Sequence, residues 1–299
     1  MGIEDLKTKG PIVVTGTGGS GTRVMAEVLV KLGGFMGHNH NGKPLDNMDS
    51  GFFLTGNTSD MRAHFRFNRR EEYTKRKIKL FEKAFFFEPY LLRDWLLIFR
   101  ILFSFLRPSD FWAVWKRPHR TGESRTATLS KILRIKTNTP VPSDAKFWGF
   151  KDPDAVYILK ALLEYYPNMK LIHMVRDGRD MALSDQKKPY MFYSSIFDTD
   201  KEYSIKNVFK YWTEFNIWVL NFIQKNMKED RILIVKFEDL CQKPIEEINK
   251  IAKFLEIDIK EDSPAYTVPK VINSIGRWKT KAYEFDDIDD LALKKFSYQ

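Results

Sequence analysis

The chain has 299 residues, 43% of them hydrophobic, and a net charge of +10. That length supports a large core without disulfides or structural metal, and the single cysteine, Cys241, excludes an intrachain disulfide and with it a disulfide-dense extracellular scaffold. The charge calls for an anionic partner, yet the basic residues are spread along the chain without zinc-finger spacing, an RNP-type pattern or a long Lys/Arg block, so nucleic acid is not the expected partner.

Met1 to Gly10 is polar and lacks the apolar core of a signal peptide. The most apolar run, Trp95 to Leu106, carries Arg100 in its middle and falls short of the roughly 20 residues that a spanning helix needs. It reads as a packed or surface-lying helix, so the expectation is no transmembrane segment and a cytoplasmic location.

In chain order, Pro11 to Thr15 is a short β-rich run, followed by a glycine-dominated stretch and then Arg23 to Leu32, with Val24, Met25, Val28, Leu29 and Leu32 on one helical face. Gly33-Gly34 ends that helix, and Gly34 to Gly42 reads as a loop. From about 57 to 146 the pattern becomes Arg- and aromatic-rich helix, as in Tyr73 to Phe87 and Leu91 to Leu106, interrupted by prolines. This segment reads as an all-helical insertion. Beyond it, Phe147 to Phe150 is a strand, Asp154 to Tyr166 a helix, Lys170 to Val175 a buried strand, and Arg176 to Lys188 helical. Phe209 to Met227 is a long aromatic helix, Arg231 to Val235 another buried strand, and Ile245 to Leu255 an amphipathic helix. Such alternation implies a single α/β domain over 1–299, a P-loop-like parallel sheet flanked by helices, with ligands at the strand C-terminal ends.

Gly16-Thr-Gly-Gly-Ser-Gly-Thr-Arg23 lies between strand and helix, where backbone N–H groups and the positive end of the helix dipole converge on an anion, with Ser20 and Thr22 as further donors. A phosphoryl-transfer loop needs Lys and then Ser or Thr after the last glycine; here these positions are Thr22 and Arg23, which argues against a kinase-like nucleotide site. Gly16, Gly18 and Gly21 also fit the dinucleotide fingerprint, but no second strand ending in an acid follows about 20 residues on. Further along, Leu171 to Ser184 puts Arg176 at a strand end and Ser184 eight residues later on the next helix, so the pair can meet on one phosphate.

This last segment closely resembles the second nucleotide motif of sulfotransferases that use 3′-phosphoadenosine 5′-phosphosulfate (PAPS), a strand followed by R-[DN]-x-x-D-x-x-x-S. Ile12 to Val24 is similar to that family's 5′-phosphosulfate loop, Gly149 to Pro153 to its strand-end Lys segment, Val235 to Leu240 to its Y-E-D-L region, and Gly276 to Lys279 to its C-terminal nucleotide-closing segment. The resemblance implies transfer of sulfonate from PAPS to an acceptor hydroxyl, leaving 3′,5′-adenosine diphosphate, with no metal. It implies that Gly18, Gly19, Ser20, Gly21, Thr22 and Arg23 hold the 5′-phosphate, and that Arg176 and Ser184 hold the 3′-phosphate. Arg277 and Trp278 would close over the nucleotide.

Two departures matter. The loop cation common before Ser-Gly-Thr is Gly19 here, which leaves Arg23 and Lys151 as candidates, and the Arg-Lys pair ahead of the closing glycine is absent, so Arg277 or Lys270 must substitute. On periodicity alone Lys151 is a solvent-facing strand-end residue; the resemblance makes it the cation for the transferring sulfonate. The catalytic base is not fixed by the motifs. The position of the cytosolic-branch His is Pro153, which cannot serve; His38, His40, Asp46 and Asp49 follow the first helix, where the resemblance to the carbohydrate-modifying branch implies a carboxylate and so favours Asp46 or Asp49 over His40, and Asp152 adjoins Lys151. His173, inside a strand, reads as a core histidine, the aromatics of the long helix read as core, and Arg179 and Asp180 read as a charge pair or as orienting Arg176. The rival readings are a kinase-like P-loop protein and a non-catalytic nucleotide-binding module. The class of acceptor (glycan, lipid or small-molecule alcohol) and the oligomeric state are not written in the sequence.

Overall fold

The computed structural model describes residues 2–37, 50–55, 71–103, 141–184, 190, 194–197, 202–281, 283, 285 and 291–298. The strands are β1 (Ile12–Gly16), β2 (Gly34–Phe35), β3 (Phe147–Lys151), β4 (Lys170–Val175) and β5 (Ile232–Lys236). They form a parallel sheet in the order β2-β3-β1-β4-β5, with Leu171 opposite Ile232 and Val175 opposite Lys236. β1, β3 and β4 are buried almost throughout, as strands covered on both faces must be.

Packing divides the chain into two units, one of Met1–Val13 with Gly33–Met169 and one of Val14–Leu32 with Lys170–Gln299, so β1 contributes to both. The first unit holds α1 (Ile3–Lys9), α3 (Glu71–Phe85), α4 (Leu92–Phe103) and α5 (Leu159–Tyr165). Its core is aromatic, with Phe81, Phe85, Phe86 and Trp148 meeting edge to face or tilted. Both described helices of the 57–146 insertion, α3 and α4, belong here.

The second unit holds α2 (Thr22–Lys31), α6 (Gly178–Ala182), α7 (Ile205–Asn226), α8 (Phe237–Gln242), α9 (Pro244–Leu255) and α10 (Leu291–Lys295). Met25, Val28 and Leu29 bury one stripe of α2, as the periodicity predicts. The Ser204 side chain caps α7 by accepting the Asn207 N–H at 3.1 Å, which sets its start four residues ahead of the expected Phe209. Two other expectations change. The helix expected over 154–166 divides into a 3₁₀ turn, Pro153–Ile158, and α5, because Asp152 caps the Asp154 N–H beside a proline that has none to give. The helix expected from Arg176 is described only over Gly178–Ala182; its end tightens, the Ser184 N–H bonding to the Met181 carbonyl. No described helix is long and apolar enough to cross a membrane.

Candidate functional site

The glycine-rich loop leaves β1 at Gly16 and enters α2 at Thr22. Gly21 has a φ of +87°, and a Cβ on it would lie 2.1 Å from the Phe237 ring, so both backbone and space demand glycine at this turn. Ser20 is fully buried and its hydroxyl has no hydrogen-bond partner among the described residues.

Arg176 follows the last residue of β4 and is only 8% exposed. Its Nη2 donates to the carbonyl and to the hydroxyl of Ser274, both at 2.8 Å, and Nη1 donates to the Gly19 carbonyl at 3.4 Å. Nε has no hydrogen-bond partner among the described residues, and the Phe237 ring lies 5.1 Å from the guanidinium carbon. Burial pushes the Arg176 pKa down, opposed by the charges of Asp180 and Glu238. Among the described residues no carboxylate comes within ion-pair distance of it. A buried cation held by neutral groups is costly unless an anion joins it.

The residues around Arg176 lock that arrangement. Asp177 caps α6 through the Arg179 N–H at 2.9 Å and grips the Arg179 guanidinium at two points, 3.0 and 2.7 Å. The same guanidinium stacks 3.5 Å from the centre of the Trp278 ring. Asp180, fully buried, accepts the Gly276 N–H at 2.6 Å and the Trp278 N–H at 3.1 Å. The expected Arg179–Asp180 pair is therefore replaced: Arg179 binds Asp177, and Asp180 fastens the 274–278 segment. Glu238, whose pKa is raised by burial, accepts the Asp177 N–H at 3.0 Å and the Tyr298 hydroxyl at 2.8 Å. Gly178 must be glycine because a Cβ would lie 2.3 Å from the Trp212 ring.

A cavity of about 250 Å³ opens here, entirely within the second unit. Thr17, Gly18 and Gly19 of the loop border it together with Arg176, Ser184 and Arg277, while Tyr190, Tyr211 and Trp212 supply aromatic wall. Loop backbone, two arginines and the hydroxyl residues Thr17, Ser184 and Ser274 in one lining suit a phosphate, and the aromatic residues of the same lining suit a flat apolar group.

Five residues singled out from sequence thus share one cavity: Gly18, Gly19, Arg176, Ser184 and Arg277. Ser20, Gly21 and Thr22 shape the loop without bordering the cavity. Arg23 is exposed on the first turn of α2, and Trp278, engaged with Arg179, is not in the wall. Lys151 ends β3 in the first unit and is 6% exposed rather than solvent-facing. The neighbouring Asp152 carboxylate accepts the Asp154 N–H at 3.0 Å and the Thr55 hydroxyl at 2.7 Å. Asp46, Asp49, His38 and His40 lie outside the described residues.

His173 is a core histidine, as expected. Asn216 Nδ2 donates to the Trp212 carbonyl at 2.8 Å, so its Oδ1 accepts from His173 Nε2 at 3.2 Å, and Nδ1 accepts from Thr15 Oγ1 at 3.0 Å. Burial lowers its pKa to about 4, so the ring is neutral.

Sequence reasoning missed Ser274, Tyr190, Tyr211 and Trp212 at the cavity. Trp212 is fully buried and packs with Phe209, so its reading as core is right, yet it also forms wall. Ser274 carried no local signal.

Residues 11–261 match the sulfotransferase family. The chain belongs to that family. Over 113 residues, 37% of the chain, it is 33% identical to proteins of Caenorhabditis elegans and Caenorhabditis briggsae provisionally named protein-tyrosine sulfotransferases. The match spans only 40% and 37% of those relatives' own lengths. Among solved structures, the sulfotransferase domain of the Synechococcus PCC 7002 olefin synthase is 14% identical with a TM-score of 0.46, covering 97% of this chain and 95% of that one. The sulfotransferase domain of the curacin biosynthetic pathway is 13% identical with a TM-score of 0.49, covering 97% and 98%. In this sulfotransferase the match takes in the loop, Arg176, Ser184 and Glu238 but stops short of Ser274 and Arg277.

Proposed function

We propose that this sulfotransferase takes its sulfonate from PAPS and delivers it to an acceptor hydroxyl, releasing 3′,5′-adenosine diphosphate. One observation carries the reading: a buried Arg176, without a carboxylate partner among the described residues, beside a glycine loop and two further phosphate-competent side chains, Ser184 and Arg277. A nucleotide with phosphates at both ends of its ribose uses both halves of that lining. The loop amides of Gly18 and Gly19 would bind the 5′-phosphate, and Arg176 with Ser184 the 3′-phosphate. Tyr211 and Trp212 would face the adenine, whereas the sequence favours Trp278 over the aromatics of the long helix for nucleotide contact.

Sulfonate transfer is an in-line displacement at sulfur: the S–O bond to the acceptor forms, the bond to the bridging oxygen of the 5′-phosphate breaks, and the acceptor proton passes to a base. Negative charge grows on the leaving oxygen, so fixed donors and cations lower the barrier. Loop amides act there, and Lys151 keeps the cationic role that its motif gives it. The base is assigned to Asp46 or Asp49. The acceptor is a hydroxyl of a glycan, lipid, protein side chain or small alcohol, and the location is cytoplasmic.

The test is a thermal-shift series with 3′,5′-adenosine diphosphate, 5′-AMP, ATP and NAD, since a ligand that binds only the native state raises the melting temperature. The bisphosphate should stabilise most. Stabilisation by ATP or NAD without stabilisation by the bisphosphate would overturn the reading.

A further inference from the structure

Among the described residues, the first unit carries an apolar surface that its core does not use. In α4, Leu97, Ile98 and Ile101 are buried, whereas Leu92, Leu96 and Phe99 are 79%, 65% and 46% exposed. At 100° per residue the exposed three fall within one narrow stripe, opposite the buried three. Ordinary surface helices put polar groups there.

Charge flanks that stripe on one side. Arg93 and Arg100, one heptad apart, are both exposed, and the Arg100 guanidinium sits 5.0 Å from the centre of the Tyr73 ring of α3. The acid of α4, Asp94, is turned away from this face: it is paired with Lys83 at 2.6 Å and accepts the Leu91 N–H at 2.8 Å. The outer face of α3 is mixed, with exposed Arg76 and Lys79 beside exposed Glu72, so the charge that matters is that of α4. The helix thus presents Leu, Leu and Phe beside two exposed Arg that form no ion pair among the described residues, Arg93 feeling the Asp94 charge only at a distance, with Trp95 half-buried on the other flank.

We propose that α4 is a docking surface for an anionic lipid membrane, lying in the headgroup plane with Leu92, Leu96 and Phe99 in the acyl boundary and Arg93 and Arg100 among the phosphates. Its 12 residues cover roughly 18 Å, against about 30 Å of hydrocarbon, so the helix lies on the membrane and does not cross it. Charge complementarity selects the partner: a neutral apolar partner leaves both arginines unused, and a second copy of the chain brings like charges together. Three apolar side chains support only weak, reversible binding, with the arginines adding about fivefold each at an anionic surface.

Co-sedimentation of the full chain with vesicles of phosphatidylglycerol and phosphatidylcholine tests this. Binding is expected to the mixed vesicles but not to phosphatidylcholine alone, and to weaken as salt rises. Arg93→Gln and Arg100→Gln should each lose about fivefold in partitioning, and Leu96→Glu on the order of tenfold, with unchanged melting temperatures. Phe99→Ser provides a second apolar variant should Leu96→Glu melt early. No binding to the anionic vesicles overturns the proposal. Equal binding by both apolar variants also overturns it, since charge elsewhere would then suffice. So does a dimer in sedimentation velocity that Leu96→Glu dissolves without any vesicle binding, because the occupant would be a second copy.

Discussion

Asp180 is the residue on which the closing segment depends most directly, and Asp180→Asn isolates that dependence. Its carboxylate takes two backbone N–H groups, from Gly276 at 2.6 Å and Trp278 at 3.1 Å, in a fully buried position. Asparagine preserves the volume but has one oxygen, so one of the two N–H groups must face an NH₂. A hydrogen bond to a charged group contributes about 1.5 to 3 kcal/mol, so losing one and weakening the other should cost about 2 to 4 kcal/mol locally. The 274–278 segment also carries Ser274, which holds Arg176, and Arg277, which lines the cavity. Loosening it should therefore weaken binding of 3′,5′-adenosine diphosphate by about tenfold or more. Native-state hydrogen exchange of the Gly276 and Trp278 amides reads the tether, and calorimetry reads the ligand. Unchanged amide protection in Asp180→Asn would refute the tether. Lost protection with unchanged affinity would show that the segment does not contribute to the cavity.

Arg176→Ala should weaken bisphosphate binding by about 2 kcal/mol or more and Ser184→Ala by less, and unchanged calorimetric affinity in the double variant counts against the 3′-phosphate assignment. Lys151→Met, which retains the buried aliphatic stem, should lower kcat on the order of a hundredfold while leaving the donor KM nearly unmoved, because in the proposed mechanism its charge is used as the S–O bond breaks; near-normal turnover assigns the cation to another residue. His173 sets a pH dependence: its folded pKa of about 4 lies below the unfolded 6.5, so its contribution is full above pH 6.5, declines as pH falls and levels off below about 4. That amounts to about 3 kcal/mol, and denaturant titrations at pH 7 and 4.5 should show the native chain losing more stability between the two pH values than His173→Gln loses, by most of that amount.

Most of the sheet was legible because parallel strands write themselves as continuous apolar runs, as Ile12–Gly16 and Lys170–Val175 do while buried and Ile232–Lys236 does while only half-buried; Gly34–Phe35, expected to be loop, is strand β2, too short to leave such a run. The loop and the Arg176–Ser184 pair were legible for a different reason: a strand end, a tight turn and a helix start place their groups by local geometry, within a few residues. Trp212 was hidden by having two surfaces, one packed on Phe209 and the other bordering the cavity, and burial statistics see only the first. Ser274 and the Asp180 tether were hidden by distance, since each acts across 98 or 96 residues of chain through backbone groups that no side-chain pattern reveals.

Arg176 connects these two kinds of information. Its position could be read, but its partners could not, and the partners decide its chemistry: Ser274 and Gly19 offer it neutral oxygens where an acid would have satisfied it. Had the long-range contact brought a carboxylate within reach, the same motif would describe a structural ion pair, indifferent to ligand. With neutral partners the buried charge keeps a standing demand for an anion, and the stability of the second unit becomes linked to whatever anion meets it. The bisphosphate should therefore raise the melting temperature of the native chain by more than it raises that of Arg176→Met, which retains the side chain's bulk without the demand. Equal shifts in the two would mean that the loop amides, and not this guanidinium, supply the binding energy.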